Sequence, residues 1–537
     1  MQQLLIKSNS AKLLAVRKVT QDNRGKKTAG VDGVKALTPT KRLAVALRLR
    51  LDGKSAPIRR VWIPKPGRSE QRPLGIPRDR CQQALAKLAL EPEWEAKFEP
   101  NSYGFRPGRG CHDAIEAIYL SINKAPQGKY VLDADISKCF DSINHEALIN
   151  KLNTWPQMRK QIKAWLKAGV LSEEKLDFPT AGTPQGGVIS PLLSNIALHG
   201  LEKHLKQWII TLDLKSKTGT NLNTESKRTS LAVVRYADDF VILHKDREVI
   251  VKAKEKVETW LSHLNLELKG SKTRIAHSDI GDGCEAPGFN FLGFHIRKYP
   301  IGKYRQSSSG LKSKTLIKPA KDSIKNHLHN MKLKLKVSPT TEVLISNLNP
   351  IIKGWCNYYK TVTKTFSICR KRPYDMLIAW GIRKHSTRTK AWVYEKYFLN
   401  KNQKRVFAYE RDGQLVSLIT HDTIKIVRHV KVQGTRSPFD GDISYWSFRL
   451  QKHMGLSRQM QSLLRKQKGL CALCELPLST TDILEVDHKV PKYKGGTNSY
   501  ENLQVLHGHC HDIKHNADEK LNHEEPYETR VSRTVLN

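Results

Sequence analysis

The chain has 537 residues, too many for one hydrophobic core, and its formal charge of +41 calls for an acidic polymer as partner. No apolar span reaches 18 residues and the amino terminus lacks a charged-then-apolar leader pattern, so neither membrane spanning nor export is expected. Nine cysteines, an odd number scattered through the chain, read as reduced thiols plus a metal site rather than a disulfide framework.

Residues 466–537 carry 9 Lys/Arg against 11 Asp/Glu, which leaves +43 on residues 1–465 and a nearly neutral tail. Residues 1–60 hold a basic turn, Asp22–Gly33, and a helix-like segment from Thr40 to about Leu51. Lys65 and Arg72 flank the turn signals Pro64, Pro66 and Gly67 between two extended runs, the pattern of a hairpin. Arg78–Phe98 follows with helical apolar spacing at Cys81, Leu85, Leu88 and Trp94.

In Tyr130–Ile143 an apolar run ends at Asp135, so this carboxylate closes a predicted strand. Phe140 lies five residues on, and Asp141 reads as a helix-start residue rather than a ligand. The glycine-rich Gly182–Gly187 lets backbone approach a ligand closely before an apolar helix over Val188–Leu201. Leu231–Leu243 is two Val- and Ile-rich runs broken by Asp238 and Asp239, the pattern of a hairpin with two like charges at its turn. Such a pair must be solvated, paired with cations or bound to metal. If the strand ending at Asp135 lies beside that hairpin, three hard oxygen ligands converge, which suits Mg²⁺. Two such ions roughly 3.5–4 Å apart activate an attacking 3′-hydroxyl and stabilise leaving pyrophosphate, so the implied chemistry is nucleotidyl transfer.

Lys272 follows in a Gly-Ser-Lys-Thr turn. Tyr304–Lys314 turns to Ser, Gly and Lys, the mark of a flexible connection. Lys318–Lys336 then repeats Ile324, Leu328, Met331 and Leu335 at helical spacing, with five lysines on the other face that suit a duplex backbone. Trp355, Tyr358 and Tyr359 read as core aromatics, and residues 376–460 form another basic segment.

The tail has a second chemistry. Cys471-x2-Cys474 and His507-x2-Cys510 have the paired spacing of a closed tetrahedral Zn²⁺ site, with His509 as the alternative to His507. So small a neutral module has little apolar area to bury, so zinc would supply folding free energy. Between the pairs lie Val486–Val490 (VDHKV), Gly495-Gly496 and Asn502-Leu503, and beyond them His511 and His515, four apart on one helix face.

These segments stand in the order of the sequence blocks of group II intron-encoded reverse transcriptases, which the chain resembles at Val61–Pro77, Ser102–Gly110, Asp135 with Phe140 and Asp141, Thr183–Gly187, Tyr236–Asp239, Leu268–Ile275, Phe291–Phe294 and Gly354–Tyr359. The tail resembles an HNH nuclease, so together the resemblance covers nearly the whole chain. It implies a right-handed α/β palm with fingers, a helical thumb, a basic DNA-binding segment and a ββα-metal tail. The modules would be residues 1–60, an RNA-binding extension; 61–303, fingers and palm; 304–375, thumb and maturase domain; 376–460, DNA-binding region; and 461–537, HNH endonuclease. It places Lys65 and Arg72 on the incoming triphosphate, Phe140 against the sugar as the selector for deoxynucleotides, Gln185 near the templating base and Lys272 near the leaving pyrophosphate. In the tail it makes His488 the general base, with Asn502 fixing its geometry, and puts one divalent ion on Asp487 and His511, with His515 as a third ligand.

The implied function is RNA-directed DNA synthesis, maturase assistance to intron splicing, and a target-strand nick that primes reverse transcription during intron mobility. Intron RNA, a double-stranded DNA target, deoxynucleoside triphosphates and Mg²⁺ are the implied partners. The expected place is the bacterial cytoplasm beside the nucleoid, or an organellar matrix. One rival is an RNA-binding splicing cofactor with relic enzyme sites, against which Asp135, Asp238 and Asp239 and the complete nuclease signature argue. The other is an RNA-dependent RNA polymerase, against which Phe140 and the nuclease tail argue.

Overall fold

The computed structural model describes residues 1–22, 37–64, 71–76, 79–123, 125, 127–172, 175–183, 186–216, 218–282, 286–301, 313–362, 368–401, 403–423, 425–451, 456–479 and 482–521. Three short helices open the chain: α1 (Gln2–Lys7), α2 (Asn9–Arg17) and α3 (Pro39–Arg48). The Ser8 side chain caps α2 by accepting from Ala11 N–H, and Thr38 caps α3 ahead of a proline in its first turn. Only α3 was expected, and beyond Asp22 the basic turn lies outside the described residues, as far as Gly33. Ala11, Ala15 and Val16 pack into the same core as the long helix α4 (Arg80–Lys97), so the opening helices are anchored on the body of the protein. Between them β1 (Ile58–Pro64) and β2 (Gln71–Ile76) form the expected hairpin, with Ile63 opposite Arg72. Lys65 and the Arg72 side chain lie outside the described residues.

After α5 (Cys111–Asn123) comes β3 (Tyr130–Asp135), then α6 (Cys139–Ser142), α7 (His145–Leu152) and α8 (Pro156–Leu166). β4 (Val170–Ser172) joins β1 in parallel and pairs with β5 (Lys175–Asp177). The helices α9 (Ser190–Leu198), α10 (Leu201–Trp208) and α11 (Thr224–Ser230) lead to the hairpin β6 (Ala232–Tyr236) and β7 (Asp239–His244), then to α12 (Arg247–Ser262) and β8 (Arg274–His277). These strands form one antiparallel sheet in the order β6-β7-β3-β8. Leu132, Ala134, Phe240 and Ile242 face α9 and α12, while Val131, Val241, Leu243 and Ala276 face α5. Burial on both faces explains why the strands read as unbroken apolar runs rather than alternating ones.

β9 (Phe289–Phe291), β10 (Phe294–Pro300) and β11 (Ser313–Pro319) make a second antiparallel sheet. Ser313 and Lys314, expected in a flexible connection, therefore already belong to a strand, and helix α13 (Lys321–Val337) starts just beyond it. Leu328, Met331 and Leu335 are buried, while Lys321, Lys325, Lys332, Lys334 and Lys336 are exposed, as the spacing predicts. α14 (Thr341–Tyr359), α15 (Ile368–Lys384), α16 (Lys390–Tyr397) and the sheet β12 (Phe398–Lys401), β13 (Lys404–Arg411) and β14 (Gln414–Ser417) share α13's core. Tyr359 is buried and Trp355 stacks on His327 at 4.6 Å, which makes them core aromatics, whereas Tyr358, expected with them, is 37% exposed.

α17 (Ile443–Gln451) and α18 (Arg458–Lys466) pack with β15 (Leu484–His488), β16 (Leu503–His507) and α19 (Gly508–Leu521) around Leu450, Leu463, Leu464 and Val505. Residues 60, 375 and 460, where module boundaries were expected, fall inside β1, α15 and α18. Charge composition shifts there, but the backbone hydrogen bonding and the apolar packing run through. No helix among the described residues is long and apolar enough to cross a membrane.

Candidate active sites

The hairpin turn sits where the sequence predicts, between β6 and β7, and Asp239 pairs in register with Asp135 at the end of β3. Ala237 adopts φ +57° to make this turn, a conformation that costs an L-residue roughly 1–2 kcal/mol. A buried cation holds it there. Arg235 donates from Nη1 to the Ala237 carbonyl (3.0 Å) and to Asn195 Oδ1 (3.1 Å), and from Nη2 to Ser102 Oγ (2.8 Å). Gly104 lies so close that a Cβ there would stand 2.3 Å from the Ala237 nitrogen. The Ser102–Gly110 loop is itself fixed by Arg106, buried in a bidentate pair with Glu95 and donating to the carbonyls of Glu99 and Ser102.

Asp135, Asp238 and Asp239 thus converge at one sheet end, and Lys272 reaches in, its Nζ 2.5 Å from Asp135 Oδ2. The Lys269 N–H donates to the Asp135 carbonyl (2.8 Å), which fastens the turn that carries this lysine. Burial, then the charges of Asp238 and Asp135, push the Asp239 carboxyl up to about 7, and burial also raises Asp238. Burial raises Asp133 to about 6 even against the Arg274 guanidinium at 3.2 Å. The cluster holds more negative charge than its lysine offsets, so oxygen donors and charge both fit divalent cations.

A carboxyl whose folded pKa exceeds its unfolded value costs the fold stability as pH rises from about 4 through about 7. In EDTA, Asp239→Asn, which mimics the neutral acid, should therefore melt higher than the parent above pH 7 and no differently near pH 4. Thermal melts across that range check this, and a constant difference would show that the charge is not strained.

Phe140 is half-buried, and its ring meets the Phe105 ring edge-on at 6.1 Å. Phe105 has φ +58° and is 49% exposed. Gly182 is needed at φ +89° because a Cβ would lie 2.5 Å from the Asp141 carbonyl, so the close approach expected of this loop is to backbone. His145 Nε2 lies 2.7 Å from the Gly182 carbonyl and ties the loop to α7. Gln185 lies outside the described residues.

In the tail, ligand atoms of Cys471, Cys474, His507 and Cys510 lie within 4.8 Å of one another. His507 Nδ1 stands 3.4 Å from Cys474 Sγ and 3.8 Å from Cys510 Sγ, close to the edge of about 3.8 Å that 2.3 Å Zn–S bonds give a tetrahedron. His509 instead stacks on the His507 ring at 5.0 Å, so His507 is the ligand candidate. Despite its burial, hydrogen bonds from the backbone of Cys474, Leu473 and His507 lower the Cys471 thiol to about 6, which favours the thiolate a metal needs. Eight cysteines among the described residues are free thiols, as expected.

Asp487, His511 and His515 form the second cluster, again within 4.8 Å. Asp487 is buried and divided in use: Oδ2 accepts from Gln504 Nε2 (2.9 Å) and Lys514 Nζ (2.8 Å), while Oδ1 faces His515 Nε2 at 3.3 Å and His511 Nε2 at 4.0 Å. One oxygen and two imidazoles therefore converge, a donor set that fits one divalent ion. Glu485 holds His511 Nδ1 at 2.9 Å, which raises its pKa and fixes the ring. His488, next on the strand, has Nε2 2.9 Å from Asn498 Oδ1. Asn502 donates to the carbonyls of Val490 and Thr497 and accepts from Val490 N–H, all at 2.9 Å, so it pins the loop beyond His488.

Sequence reasoning missed Arg235, Asp133, Glu485, Gln504 and Lys514. Arg235 and Asp133 carried a signal, each a charge inside an apolar strand run that demands a buried partner.

Comparison with known proteins matches four family models: the N-terminal domain of reverse transcriptase over residues 1–49, reverse transcriptase (RNA-dependent DNA polymerase) over 63–296, the group II intron maturase-specific domain over 321–398 and HNH endonuclease over 471–517. Protein YkfC of Escherichia coli (strain K12) is 35% identical over 312 residues, 53% of this chain and 80% of that protein. The group II intron-encoded protein LtrA of Lactococcus lactis subsp. cremoris is 30% identical over 371 residues, 56% of this chain and 60% of LtrA. The putative COX1/OXI3 intron 1 protein of Saccharomyces cerevisiae is 26% identical, over 60% of this chain and 45% of that protein. With the carboxylate turn inside the reverse transcriptase match and the two Cys/His/Asp clusters inside the HNH match, the chain belongs to the group II intron-encoded reverse transcriptase–maturases that carry a C-terminal HNH endonuclease domain.

Proposed function

We propose that this protein copies intron RNA into DNA from a primer that its own tail makes by nicking a double-stranded target, and that it also assists splicing of that RNA. The observation that carries the reading is the in-register pairing of Asp135 with Asp239 beside Asp238, at the end of a sheet within the reverse transcriptase match. The β6-β7-β3-β8 sheet serves as palm, the β1–β2 hairpin as fingers and α13–α15 as thumb and maturase domain, whose exposed lysines meet the duplex backbone. The opening helices grip RNA, and the basic surface of residues 376–460 meets DNA.

Asp135, Asp238 and Asp239 would hold two Mg²⁺ ions, which supply activation of the primer 3′-hydroxyl and charge stabilisation on the pyrophosphate. Lys272, seated on Asp135, would swing to the leaving phosphates once cations replace its charge. Lys65 and Arg72 clamp the triphosphate, and Gln185 faces the templating base. Phe140 excludes a 2′-hydroxyl, so Phe140→Ala should raise ribonucleotide incorporation at least about tenfold while deoxynucleotide synthesis persists, since even one methylene's worth of fit in a pocket is worth about 1–3 kcal/mol. Single-nucleotide extension with each triphosphate measures this, and an unchanged preference would assign selection elsewhere.

In the tail Cys471, Cys474, His507 and Cys510 would hold structural zinc, and Asp487, His511 and His515 would hold the one ion that offsets charge on the scissile phosphate. This β15–β16–α19 unit is read as the ββα-metal fold. His488 takes the proton from the attacking water, and Asn502 keeps its loop in place. His488→Ala should cut nicking at least about a hundredfold, the usual scale of a lost general base, and leave extension of an added primer unchanged. End-labelled duplex run on a denaturing gel beside an RNA-templated extension tests both, and nicking at the parental rate would leave the tail a DNA-docking module. The setting is the bacterial cytoplasm, with an organellar matrix as the second compartment.

A further inference from the structure

The two centres are joined through one loop. Gly104 packs on Ala237 of the carboxylate turn, and a few residues later the same loop holds the mount of the tail. A Cβ on Gly108 would lie 2.5 Å from the Trp446 ring of α17. Arg109 donates from Nη1 to the Pro100 carbonyl (2.8 Å) and from Nη2 to those of Gly434 and Arg436 (both 2.9 Å). Asp113, only 2% exposed, accepts at Oδ1 from Arg449 Nη2 (2.9 Å) and Val432 N–H (2.8 Å) and faces His429 Nε2 at 3.1 Å, while Oδ2 accepts from Gly110 N–H (2.9 Å). Arg449 in turn donates from Nη1 to the Val430 carbonyl (2.8 Å). α17 then continues into the tail, for Ser447 Oγ donates to the Lys468 carbonyl (2.8 Å) just before Cys471, and Leu450 lies in the tail's own core.

We infer that Asp113, with Arg449 and His429, is a positioning clamp that fixes the nuclease relative to the polymerase carboxylates, so that a 3′ end made at one is held within reach of the other. This rests on the function proposed above. A buried carboxylate with three outside donors is a costly arrangement to keep merely as filler, because each partner removed leaves charge unpaired in a dry site. What it provides is a defined orientation of two modules, which turns transfer of the nicked end from a free search into an intramolecular step.

The test uses the full chain as Arg449→Gln with His429→Gln, whose side chains are only 17% and 15% exposed and so stand behind the DNA-facing surface, and Lys252→Gln on α12 as an exposed basic control outside both the clamp and that surface. Hydrogen exchange should quicken at least about tenfold in Ile443–Gln451 and not in Ala232–His244. In parallel, label from deoxynucleotides is followed into supercoiled plasmid nicked by the protein itself and into the same plasmid carrying one nick placed beforehand. The ratio of own-nick to placed-nick incorporation should fall about tenfold in the double variant, with nicking and oligo(dT)-primed copying of poly(rA) unchanged. Unchanged exchange at α17, or a parental ratio, overturns the inference. A parent that extends the placed nick but makes none of its own counts against the nuclease reading, and the exchange result then decides the clamp.

Discussion

Replacing Asp238 and Asp239 together by alanine should stop RNA-templated DNA synthesis while RNA affinity and nicking stay near parental values. The turn contributes two of the three acids at the sheet end, and with both gone Asp135 faces Lys272 alone, a neutral pair with no demand for a divalent ion. Divalent cations held there would supply several kcal/mol of charge stabilisation, and each 1.36 kcal/mol is tenfold in rate, so the expected loss is about a thousandfold or more. The fold should survive, because the buried partners of the turn are Arg235, Asn195 and Ser102 rather than the two carboxylates. Extension of an oligonucleotide on RNA, with filter binding of the same RNA, measures both halves. Extension at a tenth of the parental rate or better would mean that other groups hold the catalytic ions.

Cys471→Ser, or removal of zinc by a strong chelator, should be more damaging to the tail than any change at its reaction centre. The tail core contains few large apolar residues, with Leu450, Met460, Leu463, Leu464, Leu503, Val505 and Leu506 at its heart, whereas structural zinc is worth about 10–16 kcal/mol in small modules. Cys471 and Cys510 lie inside that core, so losing the ion releases β16 and α19 together and separates Asp487 from His511. Nicking should vanish, and protease should cut within residues 471–517 while the rest of the chain stays protected. Protection of the tail without zinc would show that its apolar core suffices.

Much of both centres was legible in the sequence because their signals are local. Asp135 and the Asp238–Asp239 pair each interrupt apolar runs of buried-strand character, and the four candidate zinc ligands come in two tight pairs. The braces were only half legible: Arg235 shows as a charge inside an apolar run, but its partner Ser102 and the contact of Gly104 with Ala237 appear only when chain segments some 130 residues apart meet. α1 and α2, of six and nine residues, are too short to show a helical period. Composition shifts within single helices, as in α15 and α18, so charge alone is a poor guide to where one module ends and the next begins.

The Asp113 clamp also bears on how the protein could be shortened. A tail-free enzyme for preparing complementary DNA, ended near residue 423 so that β13 and β14 stay in the helical core, would keep of the donors named above only the Gly110 N–H against this carboxylate. Stripping the partners from a charge that stays shielded costs about 3–5 kcal/mol, a large share of a domain's net stability, and less to the extent that water reaches Asp113 once residues 429–449 are gone. Trimming alone would thus yield a sound catalytic sheet on a weakened α5, and the shortened chain would need Asp113 exchanged for a neutral residue of similar size, such as asparagine, to keep its working temperature.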